Sequence, residues 1–335
     1  MIKIALLDDY ARVALKSTDW SVLKGRAEIT VFDRHLSEDE AAEQLKPFEV
    51  LCTIRERMSL PRRLFTCLPN LKLVTIIGIA LPNLDIAAAT EHGVIVAHSN
   101  FGNPIFAGIA NATPELTWGL MIATVRHMGL EARRMREGGW QSTVGMILAG
   151  RTLGLLGLGR IGKRMAEYGR AFGMNVIAWS QNLTDEAARS VGARRVEKDD
   201  LFKLSDILSI HVVLSDRTRA LVTARELALM KPESYLINTS RGPIVVEEDL
   251  IAALKDARIA GAGIDVFDVE PPRTDHPFRT MDNVFVSPHL GYVTHETLRA
   301  FYSDTLDAVV AFVDGSPIRV ANPAALEHAK HRSAH

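Results

Sequence analysis

Short runs of branched apolar residues alternate with amphipathic stretches along almost the whole chain, and no other feature narrows its fold so far. The early runs are Ile2 to Leu7, Glu28 to Phe32, Val50 to Ile54, Leu71 to Ile77 and Val94 to Ala97. The later ones are Thr152 to Leu156, Asn175 to Trp179, Ile207 to Val213, Ser234 to Asn238, Ile259 to Val266 and Asn283 to Val286. Runs this short read as buried strands, and strands separated by helical stretches build parallel α/β sheets. The early set predicts one sheet. The later set predicts a second, with enough strands for a complete dinucleotide fold.

Punctuation between the runs divides the chain. The stretch Leu84 to His92 stops at Gly93, as a helix does at a residue free to turn left-handed. From Phe101 to Gly108 there is no clear period, so the first crossing between domains is placed after residue 100. Thr113-Pro114-Glu115 offers a capping hydroxyl, a proline for the first turn and an acid near the positive helix end, which predicts one long helix towards Glu137 and Gly138-Gly139. The amphipathic stretch Thr294 to Val313 could carry the chain back to the first domain. With that return the expected domains are 1–100 plus 292–335 and 101–291, and 335 residues allow a core in each. No solenoid-like repeat is present.

Composition excludes several classes of partner. The 39 basic and 40 acidic residues nearly cancel, so no overall field favours nucleic acid or an anionic membrane surface. No secretory signal is visible at Met1 to Tyr10, and apolar runs such as Val144 to Ala149 fall far short of a membrane span. Cys52 and Cys67 form no CxxC or paired-histidine arrangement, so they read as small core residues in a reducing cytoplasm, and no metal site is expected. His328, His331 and His335 in the tail read as solvated. A small-molecule partner fits best.

The segment Leu153 to Ala166 contains Gly157-Leu-Gly159-Arg160-Ile161-Gly162, a GxGxxG between an apolar strand and a helical stretch. That context distinguishes a dinucleotide fingerprint from a merely glycine-rich turn. Gly157 permits the tight turn, Gly159 the approach of a pyrophosphate to the backbone, and Gly162 the packing of helix on strand. The first amides of the helix, from Arg160 and Ile161 on, would hold the diphosphate. The next strand runs Asn175 to Trp179 and continues into Ser180-Gln181-Asn182, where NAD-specific sites carry an acid for the adenosine ribose. Ser180 removes the charge that would repel a 2′-phosphate, and no arginine follows at once. NAD and NADP both remain open, with Ser180 and Asn182 facing the ribose.

Three further segments follow predicted strands: Asn238-Thr239-Ser240-Arg241-Gly242, Gly263 to Pro271 with Asp265 and Glu270, and Ser287-Pro288-His289-Leu290-Gly291. Ligands of doubly wound sheets lie outside the carboxyl ends of the strands, so Arg241, Glu270 and His289 are placed to converge. Reduction of a 2-oxo acid puts negative charge on the carbonyl oxygen, which calls for a proton donor and a fixed cation. His289 would supply the proton and Arg241 the cation, its fork matching a planar carboxylate as no lysine can. Glu270, hydrogen-bonded to the histidine, would favour the imidazolium and hold its ring. Singly, each residue has a structural explanation: a satisfied core histidine, a loop acid before prolines, a surface turn charge.

Together these segments resemble the signature motifs of the NAD(P)-dependent D-isomer-specific 2-hydroxyacid dehydrogenase family, over about residues 50 to 315. The resemblance implies that Arg241, Glu270 and His289 carry catalysis. It implies that a Rossmann-type doubly wound parallel sheet is inserted into a smaller flavodoxin-like α/β substrate domain, that the cleft closes around the reactants, and that homodimers form largely through the cofactor domains. Asp265 would contact the nicotinamide carboxamide, and Val212, Thr218, Thr239, Ser240 and Gly291 would line the cofactor cleft. The family's substrate loop usually reads GxGxDxID. Here it is Gly78-Ile79-Ala80-Leu81-Pro82-Asn83-Leu84-Asp85, without the second glycine, so carboxylate contacts are expected from Ile79 and Ala80 while the loop is stiffer. Arg55 reads either as a substrate contact or as a solvated strand-end charge.

The expected activity is hydride transfer between a nicotinamide cofactor and a small 2-hydroxy acid/2-oxo acid pair. Glyoxylate, hydroxypyruvate, lactate-type and phosphoglycerate-type substrates all stay open, because side-chain pockets decide among them. The alternative is an NAD(H)-responsive binding protein with little turnover, like the related C-terminal-binding corepressors, since fold alone does not settle function.

Overall fold

The computed structural model describes residues 1–78 and 82–327. Ile79 and Ala80 of the expected substrate loop, and the tail histidines, lie outside the described residues. The chain divides into two compact units: Met1–Ala107 together with the chain from Thr294 onward, and Gly108–Val293 inserted between those stretches. The crossings thus fall at 107/108 and 293/294 rather than at 100/101 and 291/292. Phe106 explains the first difference: it is buried, and its ring lies 5.0 Å from that of Phe101 and 6.3 Å from that of Phe301, which keeps residues 101–107 with the first unit.

In the first unit β1 (Ile2–Leu6), β2 (Ala27–Val31), β3 (Val50–Cys52), β4 (Leu73–Thr75) and β5 (Ile95–Ala97) form one parallel sheet in the order β2-β1-β3-β4-β5. The inner strands are apolar on both faces, as a sheet covered by helices on each side requires. Leu45, Leu51, Leu64 and Leu71 pack among their core residues. A capping box, Ser37 with Glu40, starts the helix Glu38–Gln44, and Asp85 accepts from Ala88 N to start Ile86–Glu91. After the helix His295–Val313 the returning chain covers the β5 edge: Ala321 N donates to Val96 O, and Val96 N to the side chain of Asn322, each at 2.8 Å.

In the second unit β6 (Thr152–Leu156), β7 (Asn175–Trp179), β8 (Arg194–Arg195), β9 (Ile207–Ile210), β10 (Tyr235–Asn238), β11 (Gly261–Ile264) and β12 (Val284–Val286) form a parallel sheet in the order β12-β11-β10-β9-β6-β7-β8. Counted within this unit the order is 3-2-1-4-5-6 with a seventh strand added, the Rossmann arrangement, and it reverses between β6 and β9. The edge strand β8 escapes sequence reading because it is only two arginines long, a short charged edge without apolar alternation.

The long helix expected from Thr113 to Glu137 is instead two, Ala112–Val125 and Met128–Arg136. His127 between them is left-handed, with φ +51°, which stops the helical hydrogen-bond ladder. Nor does Thr113 cap: the 3₁₀ turn Ile109–Asn111 runs directly into the helix, and its N-cap Asn111 makes no side-chain capping bond. Among the described residues no helix is long and apolar enough to cross a membrane.

Candidate active site

Because β6, β9, β10, β11 and β12 are neighbours and parallel, the loops that follow them leave one edge of the second sheet side by side. Contacts join these loops in sequence. Gly157 N donates to Trp179 O and His211 N to Leu156 O, each at 2.8 Å. Gly157 has φ +105°, and a Cβ on it would lie 2.7 Å from the carbonyl of His211, so the turn requires glycine on both counts. Ser240 Oγ donates to Val212 O at 2.5 Å, tying the loop after β9 to the loop after β10.

At Gly159 the direction of a Cβ is open space. Gly159 is also the N-cap of the helix Arg160–Ala171, which has no capping side chain. An uncapped helix N-terminus with an open backbone approach fits a dinucleotide diphosphate, which the first amides of Arg160, Ile161 and Gly162 would meet. Gly162 serves the turn rather than helix-on-strand packing, since its Cβ would stand 2.2 Å from Gly157 O. The helix-on-strand contact is made at Gly169, where a Cβ would meet Leu153 Cδ2 at 2.8 Å. Ser180 is half-buried and Asn182 exposed in the turn after β7, with Leu183 N donating to Ser180 O at 3.0 Å.

Asn238, buried at the end of β10, shapes the next turn. Its Oδ1 accepts from Ser240 N and its Nδ2 donates to Arg241 O, each at 3.0 Å. Arg241 Nη1 in turn donates to Ser240 O at 2.6 Å. The following residue must be glycine, for a Cβ on Gly242 would lie 2.1 Å from the backbone of Phe267. That approach sets the Arg241 turn against the loop that carries Glu270.

Glu270 Oε1 accepts from Phe267 N at 3.0 Å, and its Oε2 lies 2.6 Å from His289 Nδ1. Both side chains are partly exposed, 19% for the histidine and 29% for the glutamate, so the pair is reachable from solvent. His289 has φ +52°, an uncommon conformation for a residue with a side chain, and its N donates to Asp265 O at 2.9 Å. The Tyr292 ring stands edge-on to it, centroids 5.5 Å apart.

Asp265 holds that conformation. It is fully buried, and it accepts from Ser287 Oγ at 2.5 Å, Leu290 N at 2.8 Å and Gly291 N at 2.9 Å. Burial pushes its carboxyl above the usual range, against the donors that pull it down. Thr239 Oγ1 shares a hydrogen bond of 2.7 Å with Thr117 Oγ1, and Thr218 Oγ1 donates to Val213 O at 2.6 Å. These positions shape the loops with internal contacts. Arg55 belongs to the first unit, where it donates to Ile77 O at 3.4 Å and lies 3.8 Å from Glu56. Cys52 is buried and its thiol is pushed up to about 12 by desolvation, which leaves it without nucleophilic character at neutral pH.

The chain is similar to known proteins in both sequence and fold. Residues 118–291 match the D-isomer specific 2-hydroxyacid dehydrogenase, NAD binding domain, which covers more than half of the chain. A D-3-phosphoglycerate dehydrogenase of Methanocaldococcus jannaschii is 34% identical over 303 residues, 90% of this chain, and the chain spans only 55% of that relative's length. A glyoxylate reductase of Aeropyrum pernix is 37% identical over 256 residues, covering 74% of this chain and 75% of the relative. The crystal structure of a phosphoglycerate oxidoreductase from Vibrio cholerae superposes with a TM-score of 0.87 at 34% identity, covering 94% of this chain and 100% of the other.

Proposed function

Since the chain belongs to the D-isomer specific 2-hydroxyacid dehydrogenase family, we propose that it reduces small 2-oxo acids to 2-hydroxy acids with a nicotinamide dinucleotide as hydride donor. The observation that carries this reading is the 2.6 Å contact of His289 Nδ1 with Glu270 on the same sheet edge as the open, uncapped glycine turn. A bound reduced nicotinamide supplies the hydride. With Nδ1 engaged by Glu270, the proton for the developing alkoxide comes from His289 Nε2. Arg241 binds the substrate carboxylate and draws charge from the adjacent carbonyl. Glu270 fixes the ring and its tautomer, and Asp265 fixes the backbone that presents the ring.

Ser180 presents no carboxylate to a 2′-phosphate, so both NADH and NADPH are accepted. A second copy of the chain pairs through the segment that displays the exposed side chains of Trp140, Val144 and Ile147. These assignments are tested by following oxidation of NADH and of NADPH with glyoxylate, hydroxypyruvate, pyruvate and bulkier 2-oxo acids. Turnover of at least one small 2-oxo acid is expected, with KM values for the two coenzymes within about a hundredfold. Tight NADH binding without turnover of any of them would reject the enzymatic reading in favour of an NADH-responsive binding protein.

A further inference from the structure

Glu270 has to stay aimed at His289, yet the chain that carries it is not part of any helix or strand, and Asp268, Val269, Pro271 and Arg273 to Asp275 on either side are exposed. One carboxylate ties both ends of this loop. Glu247, the first residue of the helix Glu247–Lys255, accepts through Oε2 from Asp268 N at 3.3 Å, and its Oε1 lies 2.9 Å from His276 Nε2. Phe278 N donates to His276 Nδ1 at 3.2 Å, so Nδ1 carries no proton and Nε2–H is the donor to Glu247. The imidazole is edge-on to Phe267, centroids 5.7 Å apart, and 5.0 Å from the Phe278 ring. Both partners are largely shielded, at 12% and 20% exposure. Adjacent amides of the loop therefore serve different acids: Phe267 N–H goes to Glu270 and Asp268 N–H to Glu247. The orientation of one peptide is coupled to that of the next, so what holds Asp268 also holds the donor that aims Glu270.

We propose that Glu247 and His276 form a positioning pair, a second histidine–carboxylate couple that clamps the loop Phe267–His276 so that Glu270 remains directed at His289 Nδ1. It rests on the reading of Glu270 and His289 as the working acid–base pair. Neither Glu247 nor His276 touches the reacting atoms. Their effect passes through Glu270 alone, and removing the clamp should cost nothing once Glu270 has lost its charge.

The test is a mutant cycle on the full chain with NADH and glyoxylate, or hydroxypyruvate if that is the better substrate. His276→Ala should lower kcat about tenfold, with KM for the 2-oxo acid and affinity for NADH changed less than about threefold. His276→Gln, whose amide can still donate to Glu247, should recover most of the loss, and the near-isosteric Glu247→Gln should resemble His276→Ala without a change in fold. In a Glu270→Gln background, His276→Ala should change kcat less than about twofold. Equal losses in both backgrounds, or no recovery with His276→Gln, would overturn the positioning role. Wild-type turnover by Glu270→Gln alone would instead overturn the acid–base reading beneath it, and the clamp with it.

Discussion

At the carboxyl end of β9 the ring of His211 lies with Nε2 2.8 Å from Ser209 Oγ, and desolvation pushes its pKa down to about 3. The unfolded chain would bind this proton near pH 6.5, so between about 6.5 and 3 the unfolded state holds more protons than the folded one. The corresponding stability is whole above that window and is lost as pH falls through it. Thermal melts of wild type and His211→Gln from pH 7.5 down to pH 4.5 should therefore converge, with the wild type falling more steeply; parallel curves would show that this ring does not titrate on unfolding. His211 drew no attention in the sequence because it sits at the end of an apolar run and belongs to no motif. Arg241, Glu270 and His289 stood out in the sequence because each follows a strand and is a residue type that the proposed chemistry demands. Glu247 and His276 were not, since an acid in a first helical turn and a histidine before a proline are common in any fold.

Whole elements were read from pattern, and the misreadings share a physical origin. Strands such as β6 and β7 follow the apolar runs to the residue. The break at His127 and the two-residue β8 have no apolar signature and depend on tertiary packing. In the proposed chemistry the element that matters most is the turn after β12, and Asp265 at the end of β11 is its anchor, receiving one O–H and two N–H donors. In Asp265→Asn one oxygen becomes a donor facing other donors, with a cost of about 1–3 kcal/mol. The variant should melt earlier and lose kcat, while NADH binding, if measured by fluorescence, weakens less than turnover does. A variant with wild-type kcat would show that the left-handed His289 backbone does not need this carboxylate.

At the scale of the whole chain, a doubly wound parallel unit interrupts a smaller parallel α/β unit, each with its own core; the alternation of runs predicted the two sheets, and the family resemblance, not the spacing, implied the insertion. Trp140, Val144 and Ile147 are 73%, 94% and 76% exposed on an extended segment that is itself well anchored: Met146 N donates to Val125 O at 3.0 Å, and Ser142 and Thr143 donate to Glu131. An anchored segment that displays large apolar side chains fits a surface of another copy. Sedimentation velocity should give a dimer for the wild type and a shift towards monomer for Val144→Glu with Ile147→Glu, whereas a monomeric wild type would remove the pairing.

In the proposed reaction His289, held by Glu270, delivers the proton that accompanies hydride transfer to a 2-oxo acid. Mixing protein loaded with NADH against glyoxylate, or hydroxypyruvate if that is the better substrate, and following a single turnover isolates that step. For His289→Ala the rate of coenzyme oxidation should fall about a thousandfold, with the dissociation constant for NADH changed less than about threefold. An unaltered single-turnover rate, or a loss of NADH affinity equal to the loss of rate, would contradict the account.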